Sequence, residues 1–99
     1  MILTSEKKNY LSQMECRDMA KQIRTQIGVQ IATARLNKGW TLEEAAKNMF
    51  NIYHYSFGMH TLERIELGKH DLKLWDIILL SRLYDMSLGI NIATLSKGQ

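Results

Sequence analysis

Ninety-nine residues, 45% hydrophobic and 23% charged, suffice for one compact domain and exclude two. A single cysteine, Cys16, excludes an intrachain disulfide, and with no signal peptide or membrane-length apolar run the expectation is a cytosolic protein without a membrane partner. Thirteen Lys and Arg against ten Asp and Glu give a net charge of +3, which is compatible with a polyanionic partner but barely raises the odds of one. Proline is absent and the apolar residues fall mostly at helical spacings, so the expected class is all-α.

The chain divides into an N-terminal helical extension, residues 1–24, a central domain, 25–88, and a C-terminal strand and tail, 89–99. In the extension, Tyr10, Leu11 and Met14, then Met19 and Ile23, stand three or four apart, with Thr4 or Ser5 to cap a weakly amphipathic helix. It reads as a helix covering the core or a dimer seam. A basic arm on DNA is the sharper alternative, but Glu6, Glu15 and Asp18 offset Lys7, Lys8, Arg17, Lys21 and Arg24.

A second helix is expected from Thr25, with Ile27, Ile31 and Ala34 on one face, ending at Asn37-Lys38-Gly39. Lys38 suits the negative end of that helix and Gly39 the left-handed position after it. Thr41 and Glu44 then form a capping box, and Leu42, Ala45, Ala46, Met49 and Phe50 make one apolar stripe on the helix it opens. A short helix follows. Its Leu62 and Ile65 share a face, which turns Met59, His60, Glu63 and Arg64 away from the core. Two short helices in series, the second with a free polar face, point to a helix-turn-helix reader.

After Lys69 to Lys73 the run Leu74 to Tyr84 is apolar on more than one face. Leu74, Ile77, Leu80, Ser81 and Tyr84 form the expected inward stripe, leaving Trp75, Ile78 and Leu79, with Leu83 at their edge, to be covered by the N-terminal helix or a second subunit. From Leu88 to Leu95 the apolar residues Leu88, Ile90 and Ile92 alternate with Gly89, Asn91 and Ala93, the period of a strand. A lone strand lacks a ladder partner. Pairing with its symmetry mate supplies one, so a homodimer is expected, with Trp75, Ile78, Leu79, Ile90 and Ile92 at its interface.

Across residues 27–88 these features resemble the Cro/C1-type (XRE family) helix-turn-helix domain of bacterial and phage repressors. The matches are Ile27-Gly28, Ile31, Arg35, Gly39-Trp40-Thr41, Ala46, Leu62, Ile65-Glu66-x-Gly68, and an apolar helix ending in Leu83-Tyr84 and Leu88. The resemblance implies a lambda-repressor-like bundle of four to five helices, with the extra N-terminal helix and short C-terminal strand added. It also implies an ion pair between Arg35 and Glu66, tying the first helix of the domain to the end of the recognition helix. In this reading Met59, His60, Glu63 and Arg64 face bases, while Lys38, Thr41, Thr61, Lys69, His70 and Lys73 face the DNA backbone.

Two departures from the family pattern bear on function. The step from Ala46 to Glu66 is six residues longer than usual, enlarging the turn within residues 51–58. That segment either packs Ile52 and Phe57 on the core or presents Tyr53, His54 and Tyr55 to a partner. The recognition face carries Glu63, which accepts only from a donor such as the cytosine amino group and is unfavourable beside phosphate. The implied function is a dimeric, sequence-specific double-stranded DNA-binding repressor from a bacterium, phage or plasmid. A protein-interaction module or toxin-neutralising antitoxin, meeting its partner through the 51–58 loop and the third helix, is the alternative. Cys16, His54, His60 and His70 lack zinc-site spacing and no nucleophile and base stand together, so neither an enzyme nor a metal or other cofactor is expected.

Overall fold

The computed structural model describes residues 12–90, which form four α-helices: α1 (Gln13–Asn37), α2 (Leu42–Tyr53), α3 (Met59–Glu66) and α4 (Leu74–Leu83). The all-helical class expected from the sequence is the class observed among these residues.

The helix expected to begin at Thr25 does not begin there. Residues 13–37 form one uninterrupted helix, about 37 Å long at 1.5 Å per residue. Its cap is Ser12, which accepts from the Glu15 backbone N–H while the Glu15 carboxylate accepts from the Ser12 N–H. Thr25 sits mid-helix, its hydroxyl donating to the Lys21 carbonyl at 2.9 Å, so the residue that resembles a cap is spent one turn back inside the helix. The cap expected at Thr4 or Ser5 lies outside the described residues. Cys16 is exposed on α1, since no buried residue occurs on this helix before Ile27.

Three helices end in the same local motif. At the end of α1, Gly39 takes φ 74° and the Trp40 N–H reaches the Arg35 carbonyl. At the end of α3, Gly68 takes φ 73° and the Lys69 N–H reaches the Arg64 carbonyl. At the end of α4 the left-handed residue is Asp85, and the Met86 N–H bonds Ser81. These six-to-one bonds satisfy carbonyls that the helices leave open.

The core lies among Ile27 and Ile31 of α1, Ala45 and Met49 of α2, Leu62 and Ile65 of α3, and Leu79, Leu80, Leu83 and Tyr84 at α4, with Phe57 from the connection. Helix α4 is rotated from its expected setting. Leu74 is 74% exposed and Leu79 only 5%, so Leu79 belongs to the core rather than to a free dimerising face. The rotation follows from Asp76, whose carboxylate is buried where it accepts from the Lys73 N–H and the Tyr55 hydroxyl. With Asp76 turned inward, Leu79, Leu80 and Leu83 follow at helical spacing.

The long turn resolves into two parts. Residues 51–53 lengthen α2, and residues 54–58 form the connection, opening with His54 in the left-handed conformation at φ 55°. Phe57 packs in the core as one expectation had it, whereas Ile52 is 58% exposed because the helical extension points it to solvent. Phe50, the last member of the expected apolar stripe, is also outward and meets the His54 ring edge-on.

Leu88, Gly89 and Ile90 are not in a strand. The amide of Gln30 on α1 takes the place of a strand partner, accepting from the Gly89 N–H and donating to the Gly89 carbonyl. Ile90 is 42% exposed and borders a hollow lined by Ile23, Ile27, Leu72 and Ile77. Ile92 and the rest of the expected strand lie outside the described residues.

Candidate functional site

Helix α3 is held to α1 by two features of its last turn. Gly28 lets the helices approach until a Cβ there would stand 2.5 Å from the Glu66 carbonyl oxygen, so only glycine fits without moving the backbone. The Arg35 guanidinium grips the Glu66 carboxylate at both ends, Nε to Oε2 at 2.7 Å and Nη2 to Oε1 at 3.0 Å, and Nη1 donates to the Trp40 carbonyl. The side chains are 13% and 10% exposed, and the hydrogen bond to Glu66 raises the Arg35 pKa while burial works against it. The pair thus fixes α1, α3 and the turn before α2 together.

Beside this pair the Tyr84 ring is buried against Trp40, with centroids 6.0 Å apart. Its hydroxyl has no hydrogen-bond partner among the described residues. Burial, helped by the Glu66 charge and opposed by that of Arg35, pushes the phenol up to about 12.

With Leu62 and Ile65 buried, α3 turns Met59, His60, Glu63 and Arg64 outward, and all four are exposed. Arg64 is partly engaged, since Nη2 donates to the Lys69 carbonyl at 3.0 Å. Leu67, just past the helix, is 58% exposed. The α3 N-terminus begins at Gly58 with no side-chain cap and no acidic residue in its first turn.

The residues assigned to a phosphate backbone fall in three places. Thr61, His70 and Lys73 line one hollow with Tyr55, Phe57 and two carboxylates, Asp71 and Asp76. Lys38 and Thr41 stand instead at the turn between α1 and α2. There Lys38 Nζ lies 5.9 Å from the Trp40 ring centre, and the Thr41 hydroxyl accepts from the Glu44 N–H. Lys69 is exposed in the connection between α3 and α4.

Comparison with family models, curated proteins and solved structures returns no match. Among the described residues no three His, Cys, Asp or Glu side chains gather as metal ligands, and no helix is long and apolar enough to cross a membrane.

On α4, Trp75 and Ile78 remain 57% and 39% exposed and line an apolar hollow of about 350 Å3 with Tyr53, Tyr55, Leu79 and Arg82. Two interactions are not among the sequence-based expectations: the bond of Tyr55 to Asp76 beside this hollow, and the clasp of Gln30 on Gly89, which ties α1 to the segment after α4. The first had a legible half. An aspartate three residues after Lys73, in the first turn of a helix, is a standard way to satisfy the cap N–H.

Proposed function

We propose that the chain is a sequence-specific, double-stranded DNA-binding transcriptional regulator with a lambda-repressor-like helix-turn-helix, acting as a dimeric repressor in the cytosol of a bacterium or encoded by a phage or plasmid. The observation that carries this reading is the exposed α3 face of Met59, His60, Glu63 and Arg64, on a helix whose opposite face, Leu62 and Ile65, is buried and whose last turn is locked to α1 by Arg35, Glu66 and Gly28. A helix held that firmly can enter a major groove without losing its angle. His60 and Arg64 donate to guanine acceptors, Glu63 accepts from a cytosine amino group, and Met59 offers an apolar contact. The uncapped α3 N-terminus and the cations Lys38, Lys69 and Lys73, with His70, suit phosphate. Trp75 and Ile78 are the apolar surface for a second subunit.

The experiment is selection from random duplex DNA by the full chain at near-physiological salt. Enrichment of an inverted repeat with half-sites about 10 base pairs apart is expected. Failure to enrich any sequence would count against the reading.

A second reading, a protein-interaction module or antitoxin on the same fold, is favoured by one observation: Met59 and Leu67, 42% and 58% exposed, bracket Glu63 with apolar surface. In that case α3 and the adjoining connection face a protein.

A further inference from the structure

The first half of α1, residues 13–22, carries no buried residue, yet its charges are sorted by face. Arg17, Lys21, Arg24 and Gly28 recur at i, i+4, i+7 and i+11, and Arg35 lies a further seven residues on, so all five share one line along the helix at 3.6 residues per turn. Gly28 and Arg35 are the residues through which α1 meets the end of α3. The three cations therefore prolong, toward the N-terminus, the same line of α1 that abuts the candidate reading helix. Glu15 falls on the opposite side and Asp18 about a quarter-turn away. The charge cancellation seen in the linear sequence does not hold on the helix surface.

The connection after α3 runs onto this line. A Cβ on Gly68 would stand 2.9 Å from the Thr25 hydroxyl, so Gly68 rests against α1 one residue past Arg24, and Lys69 follows immediately. Arg17 and Lys21 are exposed, and neither they nor Arg24 forms an ion pair among the described residues. Arg24 shares a hollow with Asp71, which leaves Arg17 and Lys21 as the freer pair.

We infer that Arg17 and Lys21, with support from Arg24, form a backbone-tracking stripe that continues the cationic edge at Lys69 and holds phosphates of duplex DNA flanking the segment under α3. The inference rests on the DNA-binding reading. It adds affinity without adding sequence information, since phosphate contacts position a protein but do not read bases.

The test compares the full chain with Arg17→Gln/Lys21→Gln and with Lys47→Gln, an exposed α2 cation off the stripe, on a short random-sequence duplex over a range of salt. Glutamine keeps helix propensity, and circular dichroism with a thermal melt verifies unchanged folding. The double variant should lower the slope of log affinity against log salt by about 1.8, from about 0.9 per phosphate contact, while Lys47→Gln leaves it unchanged. Binding with an unaltered slope in the double variant would overturn the stripe and leave the DNA reading standing. An equal loss per charge in Lys47→Gln would also overturn it, as a field effect of net charge. If the unmodified chain shows no salt-dependent duplex binding, both fail.

Discussion

Arg35 and Glu66, 31 residues apart in the chain, meet through two parallel hydrogen bonds at 2.7 and 3.0 Å in a largely buried setting. The third guanidinium bond, to the Trp40 carbonyl, makes Arg35 the point where three segments converge. Removing Arg35 leaves a carboxylate with little water, so Arg35→Ala is expected to cost about 3 kcal/mol, against under about 1 kcal/mol for an exposed pair. Arg35→Lys keeps the charge but not the fork and should fall between them. Urea unfolding of the three proteins measures this, and a loss below about 1 kcal/mol for the alanine variant would argue against a buried pair.

Tyr84 has a buried hydroxyl without a partner among the described residues, so Tyr84→Phe at neutral pH should leave stability unchanged or raise it by up to about 1 kcal/mol. The alkaline limb tests the same residue. Its folded pKa of about 12 exceeds the ordinary 10.0, so the folded state holds the phenol proton more tightly than the unfolded chain does. Stability from this group is complete below pH 10 and declines as pH rises toward 12. Thermal melts of the phenylalanine variant should show a shallower decline over that window; identical pH profiles would contradict the assignment.

Tyr55 donates to the buried Asp76 carboxylate at 2.9 Å, a bond that raises the Tyr55 pKa and anchors the connection between α2 and α3 to α4. The bond ends on a buried carboxylate, so Tyr55→Phe leaves one Asp76 oxygen without its donor and should destabilise the protein in urea unfolding. Hydrogen exchange should quicken in the connection and the first turn of α4. Asp76→Asn keeps one acceptor oxygen, for the Lys73 N–H, and its NH2 donates to the Tyr55 hydroxyl oxygen in place of the reverse bond, so both contacts persist without the charge and the loss should be milder; an asparagine loss exceeding the phenylalanine loss would place the main role of Asp76 elsewhere.

Glu63 separates the two functional readings because it is the acid on an otherwise neutral or basic exposed face. Glu63→Lys is expected to preserve or strengthen nonspecific duplex affinity while changing the base preferred at one position of each half-site. Fluorescence anisotropy with the selected site and with unrelated DNA measures both. Weaker binding to unrelated DNA would speak against α3 lying near phosphates.

Local chemistry was legible in the sequence alone. Thr41 with Glu44 and Lys38 with Gly39 act within one turn of a helix, so their roles depend on near neighbours and stand in the structure as expected. The outward setting of Met59, His60, Glu63 and Arg64 was likewise readable, because Leu62 and Ile65 leave α3 one apolar face. The family resemblance contributed the Arg35 and Glu66 pairing, which periodicity does not contain.

Other features depended on contacts between distant segments. Thr25 offers a cap in sequence, but nothing nearby breaks the helix, and α1 runs through it. In Leu74-Trp-Asp-Ile-Ile-Leu-Leu-Ser-Arg-Leu, apolar residues on several faces leave the inward direction undetermined until Tyr55, from another element, binds Asp76. Charges that cancel when counted along residues 13–24 separate when wound on a helix and referred to Gly28 and Arg35. Short-range hydrogen bonding thus determined the Thr41 cap and the end of α1 at Gly39 from sequence by itself, whereas tertiary packing chose the inward face of α4 and the course of α1, because several apolar faces on one helix are distinguished only by a neighbour.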